Sequence, residues 1–117
     1  MKYMTVWKRG LMRFMNDRIL SLLGLAARGR NLVSGEFSTE KAVKEGKASL
    51  VIISSDASDN TKKMFTDMCT FYKTPIYFYA GKETLGQAIG KEMRASVAIT
   101  NPGMAANIIK HLEESQE

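Results

Sequence analysis

The sequence predicts an α/β protein, a three-layer α/β/α sandwich in which about five helices cover a four-stranded, mostly buried sheet. Two observations predict this fold. Short apolar runs rich in β-branched residues alternate with segments whose apolar residues recur at helical spacing, and such alternation places helices on both faces of a sheet. The chain has 117 residues, of which 44% are hydrophobic, and this is enough for one domain with one core.

The first helix and the central strand have clear signals. Asn16 and Asp17 are good N-caps, the apolar residues that follow recur at helical spacing, and Gly29 ends the helix. Residues 31–34 form a short candidate strand. The run LVII at residues 50–53 is typical of a central strand that is covered on both faces.

The segment GEFSTEK at residues 35–41 predicts a loop that leads into a second helix. Ser38 and Thr39 are candidate caps, which gives a helix over residues 38–45 with Lys41 on its first or second turn. A helix N-terminus has unpaired N–H groups and a positive dipole, and both suit a phosphate or a base edge. An ordinary capped helix explains the same residues and is the more common case.

A third helix is expected over residues 61–72, and a strand over residues 76–79 follows Pro75. The apolar residues of this helix predict a buried stripe of Met64, Phe65, Met68, Cys69 and Phe71. Such a stripe is far more often core than ligand site.

The last third of the chain predicts a short helix, a strand and a long helix. Thr84 and Gln87 form a capping box for the short helix, whose small residues are expected to pack close to the sheet. Residues 95–100 form the fourth strand, with Val97 and Ile99 on one face. Asn101 is a cap for the last helix, and a proline follows it at the first helical position.

Catalytic and metal-binding patterns are weak in this sequence, so we expect neither an enzyme nor a cofactor. One cysteine and one histidine cannot form a zinc site. Cys69 is expected to be buried and inert, and His111 to be a surface or partly buried residue. We see no apolar run that could span a membrane and no secretory signal. We expect a cytoplasmic protein that does not contact membranes.

The net charge of +5 is unevenly distributed, since residues 1–30 carry +6 and the remainder −1. Residues 1–14 have no amphipathic period, and we expect a flexible basic leader before a single domain at residues 15–117. A basic surface suggests a polyanionic partner. A leader that only aids solubility is an equally good explanation of the charge.

Several motifs together resemble the ribosomal "L seven Ae" superfamily, most closely its bacterial YlxQ-like branch. They are GEFSTEK at 35–41, KAVKEGKA at 41–48, LVII at 50–53 and LGQAIG at 85–90, with LGLA, VSGE, SDAS and NTKK typical of the branch. Each motif is weak alone, but their order and spacing match over residues 16–112.

The resemblance implies a protein that binds structured RNA, typically a kink-turn, which is a sharply bent duplex with sheared G·A pairs beside a short bulge. In the family the N-terminus of the second helix enters the distorted groove, and a loop after the short helix holds the extruded nucleotide. On this chain these are residues 35–41 and 91–96. The implied RNA-binding residues are Arg28, Arg30, Gly35, Glu36, Phe37, Ser38, Lys41, Lys82, Glu92, Met93, Arg94 and Ala95.

Within this set, the resemblance implies that Lys41 meets phosphate and that Lys82 and Arg94 flank the bent backbone. Met93 and Ala95 would form an apolar floor for a splayed base. The implied partner is structured RNA, such as ribosomal RNA, rather than DNA, and we expect a monomer.

One departure concerns target recognition. Family members with well-defined kink-turn recognition have Asn-Glu where this chain has Phe37 and Ser38. Glu36 could take over from one residue earlier, while Phe37 could stack on a base or pack in the core. Two other functions stay open: a protein-interaction module on the same fold, and an accessory domain or small phosphoryl-ligand binder that uses the helix end at Gly35.

Overall fold

Helices and strands alternate along the chain in the computed structural model, which describes residues 17–115. The predicted leader at residues 1–14 lies outside that range. No helix within it is long and apolar enough to cross a membrane. The elements are α1 Arg18–Arg28, β1 Leu32–Ser34, α2 Glu36–Lys44, β2 Leu50–Ile53, α3 Asp59–Tyr72, β3 Ile76–Phe78, α4 Lys82–Ala88, β4 Ser96–Ile99 and α5 Pro102–Ser115.

The four strands form one mixed sheet in the order β1-β4-β2-β3. β4 is antiparallel to both of its neighbours, and β2 is parallel to β3. β1 and β3 are therefore the two edges of the sheet. The short candidate strand at residues 31–34 is confirmed as the edge strand β1.

Two apolar cores lie on opposite faces of the sheet, which confirms the α/β/α sandwich. Strand residues alternate between the two faces, so every residue of β2 is buried even though neighbours point in opposite directions. Val97 and Ile99 share one face, as predicted. One core joins the sheet to α1, α4 and α5 through residues such as Leu23, Leu85 and Ile108. The other joins it to α2 and α3 through residues such as Val43, Phe65 and Cys69.

Two N-caps predicted from the sequence are confirmed. The Asp17 carboxylate accepts a hydrogen bond from the Leu20 N–H at 3.0 Å, and Asn101 Oδ1 accepts one from the Met104 N–H at 3.0 Å. These caps satisfy N–H groups that have no partner inside the helix.

Two other helix starts were predicted wrongly. α2 begins at Glu36, so Ser38 and Thr39 are helical residues rather than caps. α4 begins at Lys82, which places Thr84 inside the helix and excludes the predicted capping box. In both helices the residue at the N-cap position is a glycine without a side-chain oxygen.

The predicted stripe of α3 is correct except for Phe71. Phe65 and Cys69 are fully buried, whereas Phe71 is 76% exposed. Phe71 lies two residues after the buried Cys69, about 200° further around a helix with 3.6 residues per turn, so it points to the opposite side. Cys69 is a core residue as expected, and burial raises the pKa of its thiol to about 11.

Candidate functional site

The N-terminus of α2 is an open, uncapped helix end. Its N-cap residue is Gly35, with φ +93° and ψ 156°. Residues other than glycine rarely adopt this backbone conformation. No side chain among the described residues caps this helix. The position that a Cβ would take at Gly35 has no heavy atom within 4 Å, so the space at this position is open. The first-turn N–H groups of Glu36, Phe37 and Ser38 therefore remain available as donors.

A main-chain contact holds this helix end against the sheet. The Gly35 N–H donates to the Ser96 carbonyl oxygen at 2.9 Å, and the Gly35 carbonyl oxygen accepts from the Thr39 N–H at 3.0 Å. Ser96 is fully buried at the start of β4. The donors of the first turn are thus carried on a rigid part of the fold.

Phe37 and Lys41 extend the open helix end along one side of α2. Phe37 is 79% exposed, which excludes the packing of its ring in the core. Lys41 is exposed and lies four residues later, on the same side of the helix. Lys41 is the sixth residue of α2 and so lies on its second turn, as the sequence predicted, and it also begins the last turn because α2 ends at Lys44.

The other two predicted residues of the first turn differ in their surroundings. Glu36 is exposed, and Ser38 is half-buried. Thr39, which was expected to cap the helix, is fully buried, and its hydroxyl has no hydrogen-bond partner in the part of the chain that the structure describes. Thr39 therefore belongs to the packing of α2 rather than to the surface.

The loop between α4 and β4 lies directly beside the start of α2. The Arg94 guanidinium donates from Nε to Ser34 Oγ at 3.1 Å and from Nη1 to the Met93 carbonyl oxygen at 2.9 Å. Ser34 immediately precedes Gly35. The two segments that the resemblance implied, 35–41 and 91–96, therefore form one continuous surface.

Arg94, which the resemblance places beside the bent RNA backbone, makes most of its contacts within the protein. Its side chain is half-buried and joins the loop to β1, while its main-chain N–H donates to the Lys82 carbonyl oxygen at 3.0 Å. Arg94 thus has a positioning role in the fold. Met93, in contrast, is 53% exposed, and Glu92 is exposed, while Ala95 is half-buried.

A close main-chain contact fixes the shape of this loop. A Cβ at Gly86 would lie 1.8 Å from the Glu92 carbonyl oxygen, and the Lys91 N–H donates to the Gly86 carbonyl oxygen at 2.8 Å. Only glycine permits such an approach. The small residue in α4 therefore accommodates the loop, and the prediction that it lets the helix pack on the sheet was wrong.

Lys82 is exposed at the first position of α4, and an acidic residue lies beside it. The Asp56 carboxylate accepts a hydrogen bond from the Lys82 N–H at 3.1 Å. Three neighbours lower the pKa of the Asp56 carboxyl from its ordinary value. The Ser54 hydroxyl has the largest effect, and the Lys82 N–H and the Lys82 charge add to it. Asp56 lies in the SDAS motif at residues 55–58, but its contact with Lys82 could not be predicted from the sequence because the two residues are 26 positions apart.

Arg28 and Arg30 lie apart from the α2 N-terminus, along a groove of about 690 Å³. The groove runs between the end of α1, strand β1 and the end of α4. Lys91 and Ser34 also line it. Ser34 is the point at which the groove meets the surface formed by Arg94 and the start of α2.

Comparisons with known proteins agree with this architecture. The profile of the ribosomal protein L7Ae/L30e/S12e/Gadd45 family matches residues 17–109. The RNA-binding protein YlxQ of Bacillus subtilis is 45% identical over 92 residues, which cover 79% of this chain and 92% of that protein.

Two solved structures share the fold. A Bacillus halodurans protein of unknown function is 41% identical, with a TM-score of 0.80 over 82% of this chain and 97% of that one. A 15.5 kD RNA-binding protein of Giardia lamblia is 27% identical, with a TM-score of 0.71 over 82% of this chain and 85% of that one. Together with the matched profile, these similarities show that the chain belongs to the ribosomal protein L7Ae/L30e/S12e/Gadd45 family, in its YlxQ-like branch.

Proposed function

We propose that this chain is a non-catalytic RNA-binding protein of the cytoplasm that recognises kink-turn-like RNA in connection with translation. The observation that carries the proposal is the uncapped N-terminus of α2, which is open to solvent and continuous with the loop at Arg94. Two relatives, from Bacillus subtilis and Giardia lamblia, are named as RNA-binding proteins, and this supports the same class of partner here.

The proposed mode of binding follows from the shape of RNA. The major groove of a regular A-form duplex is too narrow and deep for side chains, so base edges can be read only where the duplex is bent or unpaired. A helix end that presents free N–H groups fits such a widened groove and can donate to base acceptors or phosphate oxygens. Gly35 lets the RNA approach this end because it has no side chain.

The residues around the helix end have distinct proposed roles. Lys41 and Lys82 are exposed cations that would contact phosphates on either side of the kink. Met93 is an exposed apolar side chain for the extruded base, and Arg94 holds the loop that carries it. Glu36 and Ser38 lie where acceptors can reach G·A pairs. Ala95, Glu92, Arg28 and Arg30 complete the proposed surface.

Phe37 is the residue by which this chain departs most from the family pattern. Its ring is 79% exposed and cannot form the hydrogen bonds of an asparagine. A solvent-exposed aromatic ring beside free N–H donors is suited to stack on an unpaired base, a contact worth about 1–3 kcal/mol. We therefore propose that Phe37 recognises an unpaired base by stacking instead of reading its edge.

An electrophoretic shift assay tests the proposal directly. The labelled RNA is a duplex with a kink-turn, and the comparison RNA has the same length with Watson–Crick pairs in place of the G·A pairs. We expect the kink-turn RNA to bind at least about tenfold more tightly, because only the bent duplex opens its groove. Equal affinity for both RNAs would contradict kink-turn recognition.

Phe37→Ala tests the stacking role, and Phe71→Ala is its matched control. Both rings are largely exposed, 79% and 76%, but Phe71 lies on the last turn of α3. We expect Phe37→Ala to weaken binding roughly tenfold, in line with the loss of one stacked base, and Phe71→Ala to leave it within twofold. The same small effect in both variants would argue against stacking by Phe37.

A further inference from the structure

The edge strand β1 has an unpaired side that faces the groove of about 690 Å³. Within residues 17–115, β1 pairs with β4 alone, in the antiparallel register Leu32↔Ile99 and Ser34↔Val97. The Thr100 N–H donates to the Asn31 carbonyl oxygen, and the Gly35 N–H donates to the Ser96 carbonyl oxygen. In an antiparallel ladder, hydrogen-bonded pairs alternate with pairs whose main-chain groups point away from the partner strand.

This alternation identifies the main-chain groups at the open edge. Because residues 31 and 35 are hydrogen-bonded to β4, Leu32 and Ser34 lie at the intervening positions, and their N–H groups point outward. Leu32 and Ser34 both line the groove. Two main-chain donors, each beside its own outward carbonyl oxygen, therefore lie at the strand edge that borders the groove.

The walls of the groove carry positive charge. Arg28, Arg30 and Lys91 line it, and none of its lining residues is an aspartate or a glutamate. The ion pairs found among residues 17–115 involve Lys44, Lys47 and Lys63, none of which lines the groove. Three cations and two outward N–H donors form a site for an extended polyanion, since each can bind a phosphate oxygen.

We propose that this groove binds the phosphate backbone of one duplex arm of the RNA whose kink is held at the N-terminus of α2. This inference rests on the proposed function and extends it to a second contact with the same molecule. Ser34 connects the two places, because it lines the groove, precedes Gly35 and accepts from Arg94. An RNA strand that leaves the kink and runs along β1 meets Ser34 first and then Lys91 and Arg28.

An acidic peptide that adds a strand to β1 is the competing occupant. β1 has only three residues, so an added peptide strand would gain few main-chain hydrogen bonds. A phosphate backbone needs no long ladder and gains from each cation. These features favour RNA.

The test compares kink-turn RNAs in which either arm is shortened to half a helical turn or extended to a full turn. The double variant Arg28→Gln with Lys91→Gln removes two charges from the groove. Its matched control, Lys73→Gln with Lys110→Gln, removes two exposed charges, from the end of α3 and from α5. Affinities are measured over a range of salt concentrations, and circular dichroism checks that each variant is folded.

We expect one extended arm to strengthen binding of the unmodified chain and of the control, and this gain to be lost in the groove variant. On the extended RNA the groove variant should lose roughly tenfold in affinity. The slope of log K against log salt concentration should become shallower by about 0.7–0.9 for each phosphate contact removed. On the RNA with both arms short, the groove variant loses less affinity than on the extended RNA, so the difference between the two RNAs measures the contact with the arm. Ethylation of phosphates in the extended arm should also hinder binding of the unmodified chain.

Two results would overturn the inference while kink recognition stands. One is that arm length has no effect on the unmodified chain, with ethylation interference confined to the kink. The other is that the groove variant keeps the full gain from the extended arm, which would also leave the acidic peptide as the better occupant. If the unmodified chain does not prefer kink-turn RNA to the paired duplex, the proposed function fails and this inference fails with it.

Discussion

Reversal of charge at Lys41 is expected to weaken binding to kink-turn RNA far more than the same change at Lys110. Both lysines are exposed and lie four residues before a glutamate near the end of a helix, Glu45 for α2 and Glu114 for α5. Neither belongs to an ion pair among the described residues. The two changes are therefore matched in net charge and in their spacing to a glutamate, although only Lys41 lies in the last turn of its helix.

The cost to the fold should be small and similar in both variants. Lys41→Glu replaces an attraction between opposite charges at residues 41 and 45, four positions apart, by a repulsion between like charges. It also puts a negative charge in the last turn of α2, where the helix dipole disfavours it. Together these effects lower the free energy of unfolding by about 1 kcal/mol. Lys110→Glu has the corresponding effect beside Glu114. A urea titration of each variant measures both values.

The effect on RNA binding is expected to separate the two variants. At Lys41 the change removes an attraction to phosphate and adds a repulsion, each about 0.7 kcal/mol for a screened surface contact. Their sum of about 1.4 kcal/mol corresponds to a tenfold rise in Kd. Lys110→Glu changes only the overall charge, and we expect less than a threefold rise.

The assay is a fluorescence-anisotropy titration with labelled kink-turn RNA at two salt concentrations. A rise in Kd that is equal in both variants would mean that overall charge governs binding and that the side of α2 at Lys41 is not an RNA contact. A normal Kd for Lys41→Glu with a raised Kd for Lys110→Glu would place the RNA elsewhere.

Three further predictions concern the loop beside α2 and the core. Arg94→Ala should lower the free energy of unfolding by about 1 kcal/mol and also weaken RNA binding, because it removes the contact with Ser34; an unchanged urea midpoint would contradict this. Gly86→Ala should cost about 2 kcal/mol or more, since the new Cβ would collide with the Glu92 carbonyl, and a normal melting temperature would refute the close contact. Cys69, with a pKa of about 11, has about one thiol in a thousand ionised at pH 8, so Ellman's reagent should react far more slowly with native than with urea-unfolded protein; equal rates would show that the thiol is accessible.

The parts of the fold that depend on local pattern could be predicted from the sequence. The LVII run at residues 50–53 identified the central strand, because a strand buried on both faces has no polar positions. Asp17 and Asn101 identified two helix starts, since each caps an N–H only three residues away. The apolar spacing of α3 gave the buried pair Phe65 and Cys69.

The errors fall where distant residues determine the local structure. α4 begins at Lys82 because Asp56, 26 residues earlier, accepts from its N–H. The start of α2 depends on the conformation of Gly35 and on its bond to Ser96. No local pattern reports such contacts, whereas hydroxyl residues such as Ser38 are a common and here misleading cap signal.

In the candidate site, too, the features set by local sequence could be predicted and those set by distant residues could not. The resemblance indicated the two segments that meet, but not that Arg94 joins them through Ser34. It named Arg28 and Arg30, which line the groove beside β1, but not the groove itself, because the groove depends on β1 being an edge strand. Sheet order is a property of the whole fold and cannot be seen in any single motif.

The most direct test of the account is a titration of isotope-labelled protein with kink-turn RNA, followed through the backbone amide signals. If the uncapped N-terminus of α2 is the RNA site, the amides of Glu36, Phe37 and Ser38 should show the largest chemical-shift changes, together with those of residues 91–95. The paired duplex of the same length should shift them little. Largest changes on α3 and β3, with the amides of residues 36–38 unmoved, would contradict the account.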